Sequence, residues 1–282
     1  MNFQLNDLIS NYEIGCPYID NHKSKLPTVI VPDIHARWDF VDFVFSTYKP
    51  GEFNILFTGD ILHSEGDNHK WIEIRDNYHD DGWNSAYHLM YEEWFNSFLA
   101  LHKILEKQKE FPNNVFFLRG NHDDISCKLY GDYGKYCWPL MESKLFRQFG
   151  MQFEAGTLNA YYKFEKKIPY LYIGPDFIAS HAIPDEKVRL KELVLNNTKT
   201  HALFAWPDNT NWASNCLTHF DANLRALGQN AYYWFCGHRP VKEPDLVRLQ
   251  CNGRLVQNNH PRKWVVIEKP LEGPYVPSLL EG

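Results

Sequence analysis

Five short polar segments in this 282-residue chain each follow an apolar run and carry residue types that bind metal ions. Their side chains supply carboxylates, an amide oxygen and several imidazoles. In chain order, the segments are Asp33-Ile34-His35, Gly59-Asp60, Gly120-Asn121-His122-Asp123, Ser180-His181-Ala182 and Gly237-His238-Arg239. Neutral imidazole suits Zn, Fe, Ni and Cu, whereas carboxylate and amide oxygens also accept Mn and Mg. This mixture without thiolate indicates a pair of divalent cations, with Mn, Fe or Zn favoured over Ca.

A metal pair of this kind points to phosphoester chemistry. Two ions roughly 3.5–4 Å apart can clamp the attacking and the leaving oxygen of an in-line displacement. Water that bridges the two ions loses a proton near neutral pH and becomes the nucleophile. The pattern therefore predicts hydrolysis by a metal-bridging hydroxide, with no need for a nucleophilic serine or cysteine.

The elements that must position these side chains are β-strands. Short β-branched or aromatic runs precede the five segments: Thr28–Val31, Ile55–Thr58, Val115–Leu118, Phe177–Ala179 and Tyr232–Phe235. Binding sites in open α/β sheets lie beyond the carboxyl ends of the strands. We therefore expect all five segments to converge at one edge of the fold.

Taken in order, the five segments resemble the motifs of calcineurin-like metallophosphoesterases over roughly residues 28–268. They are most similar to the serine/threonine phosphoprotein phosphatase branch. That branch carries Gly-Asp-x-His-Gly, Gly-Asp-x-x-Asp-Arg-Gly, Gly-Asn-His-Glu and two later histidines. The resemblance implies an α/β fold in which two mixed β-sheets pack as a sandwich flanked by helices, a metallophosphatase-like four-layer fold.

The resemblance also implies a role for each matching position. The metal ligands would be Asp33 and His35 for the first ion, Asp60 as the bridge, and Asn121, His181 and His238 for the second ion. His122 would be a catalytic residue beside the metals, stabilising the transition state or protonating the leaving oxygen. The cofactor would be two divalent metal ions, with Mn first and Fe or Zn as alternatives.

The second segment departs most from the resembled branch. His63 stands where that branch has Asp, and Ser64 stands where it has Arg. That Asp orients the third-segment histidine, and that Arg binds the phosphate. We predict His63 as a second catalytic candidate: a neutral ring could accept a hydrogen bond from His122, and a protonated ring could contact phosphate. A structural role for His63 is equally open.

Another arginine would then have to bind the phosphate. Arg37 and Arg239 are the first candidates because they adjoin predicted ligands, and Arg262 is a third. Arg119 is shared with the resembled motif, but we expect it to be structural. In the first segment, Ala36 replaces the glycine of the resembled motif.

Composition agrees with a soluble enzyme. The net charge of −6 disfavours a broad nucleic-acid surface, since such surfaces are usually basic. The six cysteines show neither close-pair zinc spacing nor a dense disulfide framework. Without an evident N-terminal signal or an apolar run of membrane-spanning length, we expect a cytoplasmic protein with free thiols and no membrane partner.

The chain pattern predicts a single metallophosphoesterase domain over residues 1–282, with an N-terminal extension at 1–26 and an insertion at about 64–84. The insertion is polar and aromatic, which favours a substrate-facing loop or partial lid. A helix follows, with an apolar face from Ala86 to Leu105. Leu246–Gln250, Arg254–Gln257 and Lys263–Glu268 are predicted strands that complete the second sheet.

The predicted function is a phosphomonoesterase of protein phosphatase type that acts on a phosphorylated partner, either a phosphoprotein or a small phosphoester or nucleotide. One alternative is a dinucleoside polyphosphate or nucleotide hydrolase, in which Trp71, Trp83, Tyr130 and Tyr133 stack on a base. Another is a catalytically silent metal-binding scaffold for phosphorylated partners, suggested by the missing Asp-Arg pair. Against the scaffold, every predicted metal ligand is present.

Overall fold

The structure is a computed structural model that describes residues 5–10, 12, 15–64, 68–126, 128, 138–207, 215–260 and 262–280. The described strands are β1 (Tyr18–Asp20), β2 (Thr28–Val31), β3 (Asn54–Phe57), β4 (Val115–Phe117), β5 (Leu171–Ile173), β6 (Phe177–Ser180), β7 (Tyr233–Cys236), β8 (Arg248–Gln250), β9 (Leu255–Gln257), β10 (Trp264–Lys269) and β11 (Val276–Leu280). The described α-helices are α1 (Leu5–Ser10), α2 (Trp38–Thr47), α3 (Asn68–Asp81), α4 (Trp83–Glu110), α5 (Trp138–Phe153), α6 (Ala155–Phe164), α7 (Thr198–Ala205) and α8 (Asn215–Leu227).

The strands form two mixed sheets. One sheet has the order β11-β10-β2-β3-β4, and the other has the order β1-β5-β6-β7-β9-β8. Strands β2, β3 and β4 are mutually parallel, and so are β6, β7 and β9. The five strands predicted before the polar segments are confirmed, within one or two residues at their ends.

Alternating side chains in these strands build the sandwich. Ile30 and Leu56 point into a shared interior, where they meet Tyr172 and Phe235 of the other sheet. Their strand neighbours point the opposite way, toward helices, as the two-residue period of a strand requires. A third apolar cluster joins the outer face of the second sheet to α7 and α8. The predicted four-layer sandwich is confirmed.

The C-terminal strands differ from the prediction in one respect. Strands β8 and β9 do join the second sheet. Strand β10 instead pairs antiparallel with β2 in the first sheet, so the prediction that all three complete one sheet was wrong. Strand β10 lies between two other strands, and most of its residues are buried. An apolar run of this kind predicts a strand but does not indicate which of the two sheets the strand joins.

The predicted amphipathic helix is α4. Its buried residues include the predicted stripe of Ala86, Met90, Trp94, Phe98, Leu101 and Leu105. The helix begins after Gly82, whose φ of 69° lets the chain turn sharply out of α3. Helices α3 and α4 then pack against each other.

The insertion at about 64–84 is not the predicted loop where it is described. Residues 68–81 form helix α3, and residues 65–67 lie outside the described part of the chain. Trp71 of α3 and Trp83, the first residue of α4, are buried in the same core cluster, so neither ring can stack on a base as predicted. Tyr130 and Tyr133 lie outside the described residues.

The N-terminal extension adds both a helix and a strand. Helix α1 packs on α6 and α4, and β1 pairs in parallel with β5 at the edge of the second sheet. The assignment of residues 1–282 to one domain stays a prediction. Among the described helices, none combines the length and the apolar character needed to cross a bilayer.

Candidate metal centre

All five polar segments meet at one edge of the sandwich, although their strands belong to two sheets. The loops after β2 and β3 are joined directly, because the backbone N–H groups of Ile34 and His35 donate to the carbonyl of Asp60 at 3.0 and 2.8 Å. Across the sandwich, Oδ2 of Asp33 accepts from the backbone N–H of His238 at 3.0 Å. The predicted convergence of the strand ends is therefore present.

The first group of ligand atoms comes from Asp33, His35 and Asp60. Nε2 of His35 lies 3.8 Å from Oδ2 of Asp33 and 4.0 Å from Oδ2 of Asp60. All three residues are buried. Their nitrogen and oxygen atoms therefore face one small volume from three sides.

The second group comes from Asp60, Asn121, His181 and His238. Nε2 of His181 lies 3.2 Å from Oδ2 of Asp60 and 2.9 Å from Oδ1 of Asn121. Nδ1 of His238 lies 3.0 Å from Oδ1 of Asn121 and 3.2 Å from Nε2 of His181. Because the Asp60 carboxylate takes part in both groups, it has the position of a bridge.

Backbone carbonyls fix the tautomers of two histidines. A carbonyl can only accept, so Nδ1 of His35 donates to the carbonyl of His63 at 2.9 Å. For the same reason, Nδ1 of His181 donates to the carbonyl of Thr58 at 3.2 Å. In its neutral form, each ring presents the lone pair of Nε2 toward the carboxylates, as a metal-binding imidazole does.

These lone pairs provide a test of whether divalent ions would fit. Nε2 of His181, Oδ1 of Asn121 and Oδ2 of Asp60 converge as acceptors within hydrogen-bonding distance of one another. Acceptors repel at such distances unless a proton or a cation lies between them. His35, Asp60 and His122 form one cluster of possible ligands, and Asp60, His181 and His238 form another, each with its ligand atoms within 4.8 Å. The residues therefore fit a pair of cations.

The electrostatic field agrees with that fit. Burial alone would lower the pKa of His181, but the charges of Asp60 and Asp33 outweigh it and raise the pKa to about 9. Burial alone would raise the pKa of Asp60, yet His181 and His122 hold it well below its usual range. The carboxylates that hold a proton on His181 would equally stabilise a divalent cation that takes the place of this proton.

Left-handed backbone conformations cluster in the ligand loops. His35, Asp60 and His238 have φ angles of 48°, 49° and 69°. Neighbouring glycines let the carboxylates approach: a Cβ at Gly120 would clash with Oδ1 of Asp60, and a Cβ at Gly237 would clash with Oδ1 of Asp33. The loops therefore need glycine at these two positions to bring the ligands together.

Two supporting residues were missed by the sequence analysis. The carboxylate of Asp123 accepts from the backbone N–H groups of Asp60, Ile61 and Gly120, each at 2.9 Å, and so fixes the bridging residue. Asn259 donates from Nδ2 to Oδ2 of Asp33 at 2.7 Å. Asn259 follows strand β9, so the pattern of a polar residue after a strand could have identified it.

His122 lies where the resemblance implied, but its partner is not the predicted one. Nδ1 of His122 lies 3.0 Å from Oε2 of Glu142, on helix α5. His63 is fully buried, and its ring packs against Phe146 and Trp71, with centroids 4.8 and 5.6 Å away. The predicted hydrogen bond from His122 to His63 is not among the contacts of the described residues. Since His63 is as buried as the ligand side chains, its contact with phosphate stays a prediction.

Ser64 is held by an acidic residue. Its backbone N–H and its hydroxyl both donate to the carboxylate of Glu93, at 2.6 Å each. Nζ of Lys70 lies 3.2 Å from the same carboxylate, and the indole N–H of Trp71 donates to the carbonyl of Ser64 at 3.1 Å. Ser64, at the position of the arginine in the resembled motif, is therefore held by residues of α3 and α4.

The candidate arginines differ in their surroundings. Arg119 is buried and pairs with Asp124 at 3.1 Å, which confirms its expected structural role. Arg37 donates to the carbonyls of Asp33 and Ile34, at 2.6 and 2.9 Å, and so also braces the first ligand loop. Arg239 is partly buried beside His238, where its charge helps to lower the pKa of that ring after the larger effect of burial. Arg262 is exposed.

The chain belongs to the calcineurin-like phosphoesterase family, whose model matches residues 26–242. It is a metal-dependent phosphoester hydrolase, and the family implies a pair of divalent ions, for which the groups described above are candidate ligands. No curated protein matches the chain.

Solved structures with the same fold include three phosphatases. A protein serine/threonine phosphatase from Saccharomyces cerevisiae with similarity to human phosphatase PP5 has a TM-score of 0.62 at 16% identity, and the match covers 99% of this chain and 87% of that one. A mutant of a cold-active protein tyrosine phosphatase has a TM-score of 0.51 at 12% identity, covering 99% and 82%. A candidate diadenosine tetraphosphatase has a TM-score of 0.50 at 10% identity, covering 94% and 98%. At these identities, the likeness describes the fold alone.

Proposed function

We propose that this hydrolase removes phosphate from phosphomonoesters, with phosphoserine or phosphothreonine in proteins as its substrate class. The observation that carries the proposal is the convergence of six buried ligand residues, with Asp60 in both groups. The motif order, most similar to the serine/threonine branch, favours protein substrates. The buried Trp71 and Trp83 remove one argument for a nucleotide substrate.

In this proposal, Asp33, His35 and Asp60 hold one divalent ion, and Asp60, Asn121, His181 and His238 hold the other. Bound ions would neutralise phosphoryl charge and acidify water at the site. Nitrogen and oxygen donors without thiolate suit Mn²⁺ first, and Fe or Zn as alternatives. Because the carbonyls of His63 and Thr58 accept from Nδ1, Nε2 is the nitrogen of His35 and His181 that would bind a metal ion.

We propose His122 as the catalytic residue that exchanges a proton with the leaving oxygen. It is buried at the rim of the ligand cluster, and its backbone N–H donates to Oδ1 of Asp60 at 2.8 Å. For phosphate binding we propose Arg239 together with Arg37, the two guanidinium groups that adjoin the ligand loops. Since Arg37 also braces the first loop, its removal should affect metal binding as well as substrate binding.

The first test is turnover of para-nitrophenyl phosphate with Mn²⁺. We expect activity that chelation by EDTA abolishes, and a loss of at least about 100-fold in Asp60→Asn, since the variant weakens both metal sites. Asp76→Asn, an exposed position on α3, is the matched control and should keep full activity. Absence of turnover with Mn²⁺, Fe²⁺ and Zn²⁺ would contradict the proposal and favour a silent phosphate-binding scaffold.

The second test concerns the substrate class. A phosphoserine peptide and diadenosine tetraphosphate, compared at equal concentration, should differ in kcat/KM in favour of the peptide. A preference for the dinucleotide would replace phosphoprotein by nucleotide as the substrate.

We also propose a reducing cytoplasm as the location, because Cys16, Cys236 and Cys251 are free thiols among the described residues.

A further inference from the structure

We propose that Glu142, on helix α5, is the residue that positions His122 for proton transfer. Oε2 of Glu142 lies 3.0 Å from Nδ1 of His122, and both side chains are buried. The inference rests on the proposed function, because it gives His122 its partner in the same reaction. Among the described residues, Glu142 lies beside His122 and His63 and acts through the ring of His122, so its role is positioning.

The ring of His122 connects two clusters. A nitrogen of the ring lies within 4.8 Å of the ligand atoms of His35 and Asp60, and Nδ1 faces Glu142. An imidazole that donates Nδ1–H to a carboxylate keeps its Nε2 lone pair or proton directed to the opposite side. Glu142 thereby determines both the tautomer and the direction of the ring.

His63 does not compete for this role. Its ring is fully buried between Phe146 and Trp71, with centroids 4.8 and 5.6 Å away. This ring meets that of His122 edge to face, with centroids 5.8 Å apart, and no hydrogen bond joins the two rings among the described contacts. His63 instead packs beside the carboxylate, with Nδ1 3.9 Å from Oε2 of Glu142.

Helix α5 is anchored so that Glu142 stays in place. Phe146 lies one turn after Glu142, on the same face of the helix. Its ring packs against His63 at 4.8 Å and against Trp94 of α4 at 4.5 Å, measured between centroids. These aromatic contacts of Phe146 therefore hold helix α5 in the position from which Glu142 reaches His122.

Glu142→Gln tests the inference, because glutamine keeps the shape and removes the charge. We expect kcat for a phosphate ester with a poor leaving group to fall about 100-fold, the scale of general acid catalysis. The KM and the content of two metal ions per chain should stay unchanged. With para-nitrophenyl phosphate, whose leaving group needs little protonation, the loss should be smaller. Glu154→Gln, just beyond the end of α5, is the control and should match the wild type.

A second measurement does not depend on turnover. In the Zn²⁺-loaded protein with ¹⁵N-labelled histidine, the ring signals of His122, assigned by their absence in His122→Gln, should show Nδ1–H in the wild type. In Glu142→Gln, the ring signals of His122 should differ from those of the wild type. Unchanged ring signals together with wild-type kcat would overturn the inference, even where the wild type is an active phosphatase. Failure of the wild type to turn over any ester would instead overturn the proposed function.

Two further outcomes are decisive. Three metal ions per chain, falling to two in Glu142→Gln, would overturn the inference, because Glu142 and His63 would then be metal ligands. If Glu142→Gln does not fold, Glu142→Asp carries the test, since it keeps the charge but withdraws the carboxylate from Nδ1. Wild-type kcat in Glu142→Asp would contradict the positioning role, and a drop of about tenfold or more in the folded protein would support it.

Discussion

Ala36 has a left-handed backbone conformation, with φ at 61°, in the loop that also carries Asp33 and His35. A Cβ in this conformation costs about 1–2 kcal/mol, whereas glycine adopts it freely. The loop thus keeps the shape that glycine allows in the resembled motif, at a cost in stability.

Ala36→Gly should therefore stabilise the protein by about 0.5–1 kcal/mol, because relief of the strain outweighs the greater freedom of glycine in the unfolded chain. Urea denaturation measures the change. Ala222→Gly, the same substitution inside helix α8, should destabilise by about 1 kcal/mol and is the control. If Ala36→Gly were less stable than the wild type, the claim that Ala36 is strained would be wrong.

Residue chemistry was predictable where a side chain follows a strand. Asp33, Asp60, Asn121, His181 and His238 were all found by that pattern, and they meet as expected. Glu142 could not be found, because it lies on a helix, and nothing in its spacing relates it to His122. Sequence likewise could not show that the ring of His63 is buried by Phe146 and Trp71.

At the level of elements, helix α4 supports the second ligand loop from behind. Its buried Glu93 accepts two hydrogen bonds from Ser64 and lies 3.2 Å from Lys70 of α3. The same lysine lies 3.3 Å from Glu92, whose side chain is 63% exposed. The two neighbouring glutamates therefore differ in burial but share one cationic partner.

Glu93→Ala should destabilise the protein by about 2–3 kcal/mol, since it leaves the donors of Ser64 without their acceptor. Glu92→Ala should cost less than about 0.5 kcal/mol, because it breaks only an exposed ion pair. Thermal unfolding of the two variants measures the difference. Equal losses would mean that the pair with Lys70, and not the bonds to Ser64, holds the loop.

The spacing of apolar residues predicted where helices and strands lie along the chain better than it predicted which strands pair with each other. The apolar stripe of α4 and the runs of β2 and β6 were placed within a residue or two. Helix α3 was missed because its composition is polar and aromatic, and its amphipathic character is weak. The partner of β10 could not be predicted, since pairing across more than two hundred residues leaves no local signal.

Over the whole molecule, a buried ionic cluster joins the first sheet to the helices behind it. Arg119, after β4, pairs with Asp124 and lies 4.0 Å from Glu165. Burial raises the pKa of Glu165 to about 7, the charge of Arg119 opposes this, and Asp124 adds to it. Next to this cluster, the hydroxyl of Tyr161 donates to the carbonyl of Asp123 at 2.8 Å.

When folding raises the pKa of a carboxyl group, the folded state binds the proton more tightly than the unfolded state does. The protein is therefore more stable at a pH where this group is protonated. The contribution of Glu165 is complete below about pH 4.5 and is lost as the pH rises toward 7. Glu165→Gln mimics the protonated group at every pH. Its stability relative to the wild type should therefore rise between pH 5 and 7, by at most about 1.4 kcal/mol per pH unit, and level off above.

Denaturant unfolding of both proteins from pH 5 to 8.5 measures this difference. Glu154→Gln removes a charge outside the cluster and should follow the wild type at each pH. A difference between Glu165→Gln and the wild type that does not vary with pH would show that Glu165 is charged throughout.

The partners of Asp33 have a consequence for the order in which the site is made. His238 and Asn259, which bind its carboxylate, lie 205 and 226 residues further along the chain. The loop of Asp60, by contrast, is braced by residues 62 and 63 positions away. On a ribosome, the loop of Asp60 can be braced early, whereas the carboxylate of Asp33 acquires these partners only when nearly the whole chain has been made. Nascent chains stalled at increasing lengths should retain two metal ions per chain only after Asn259 has emerged.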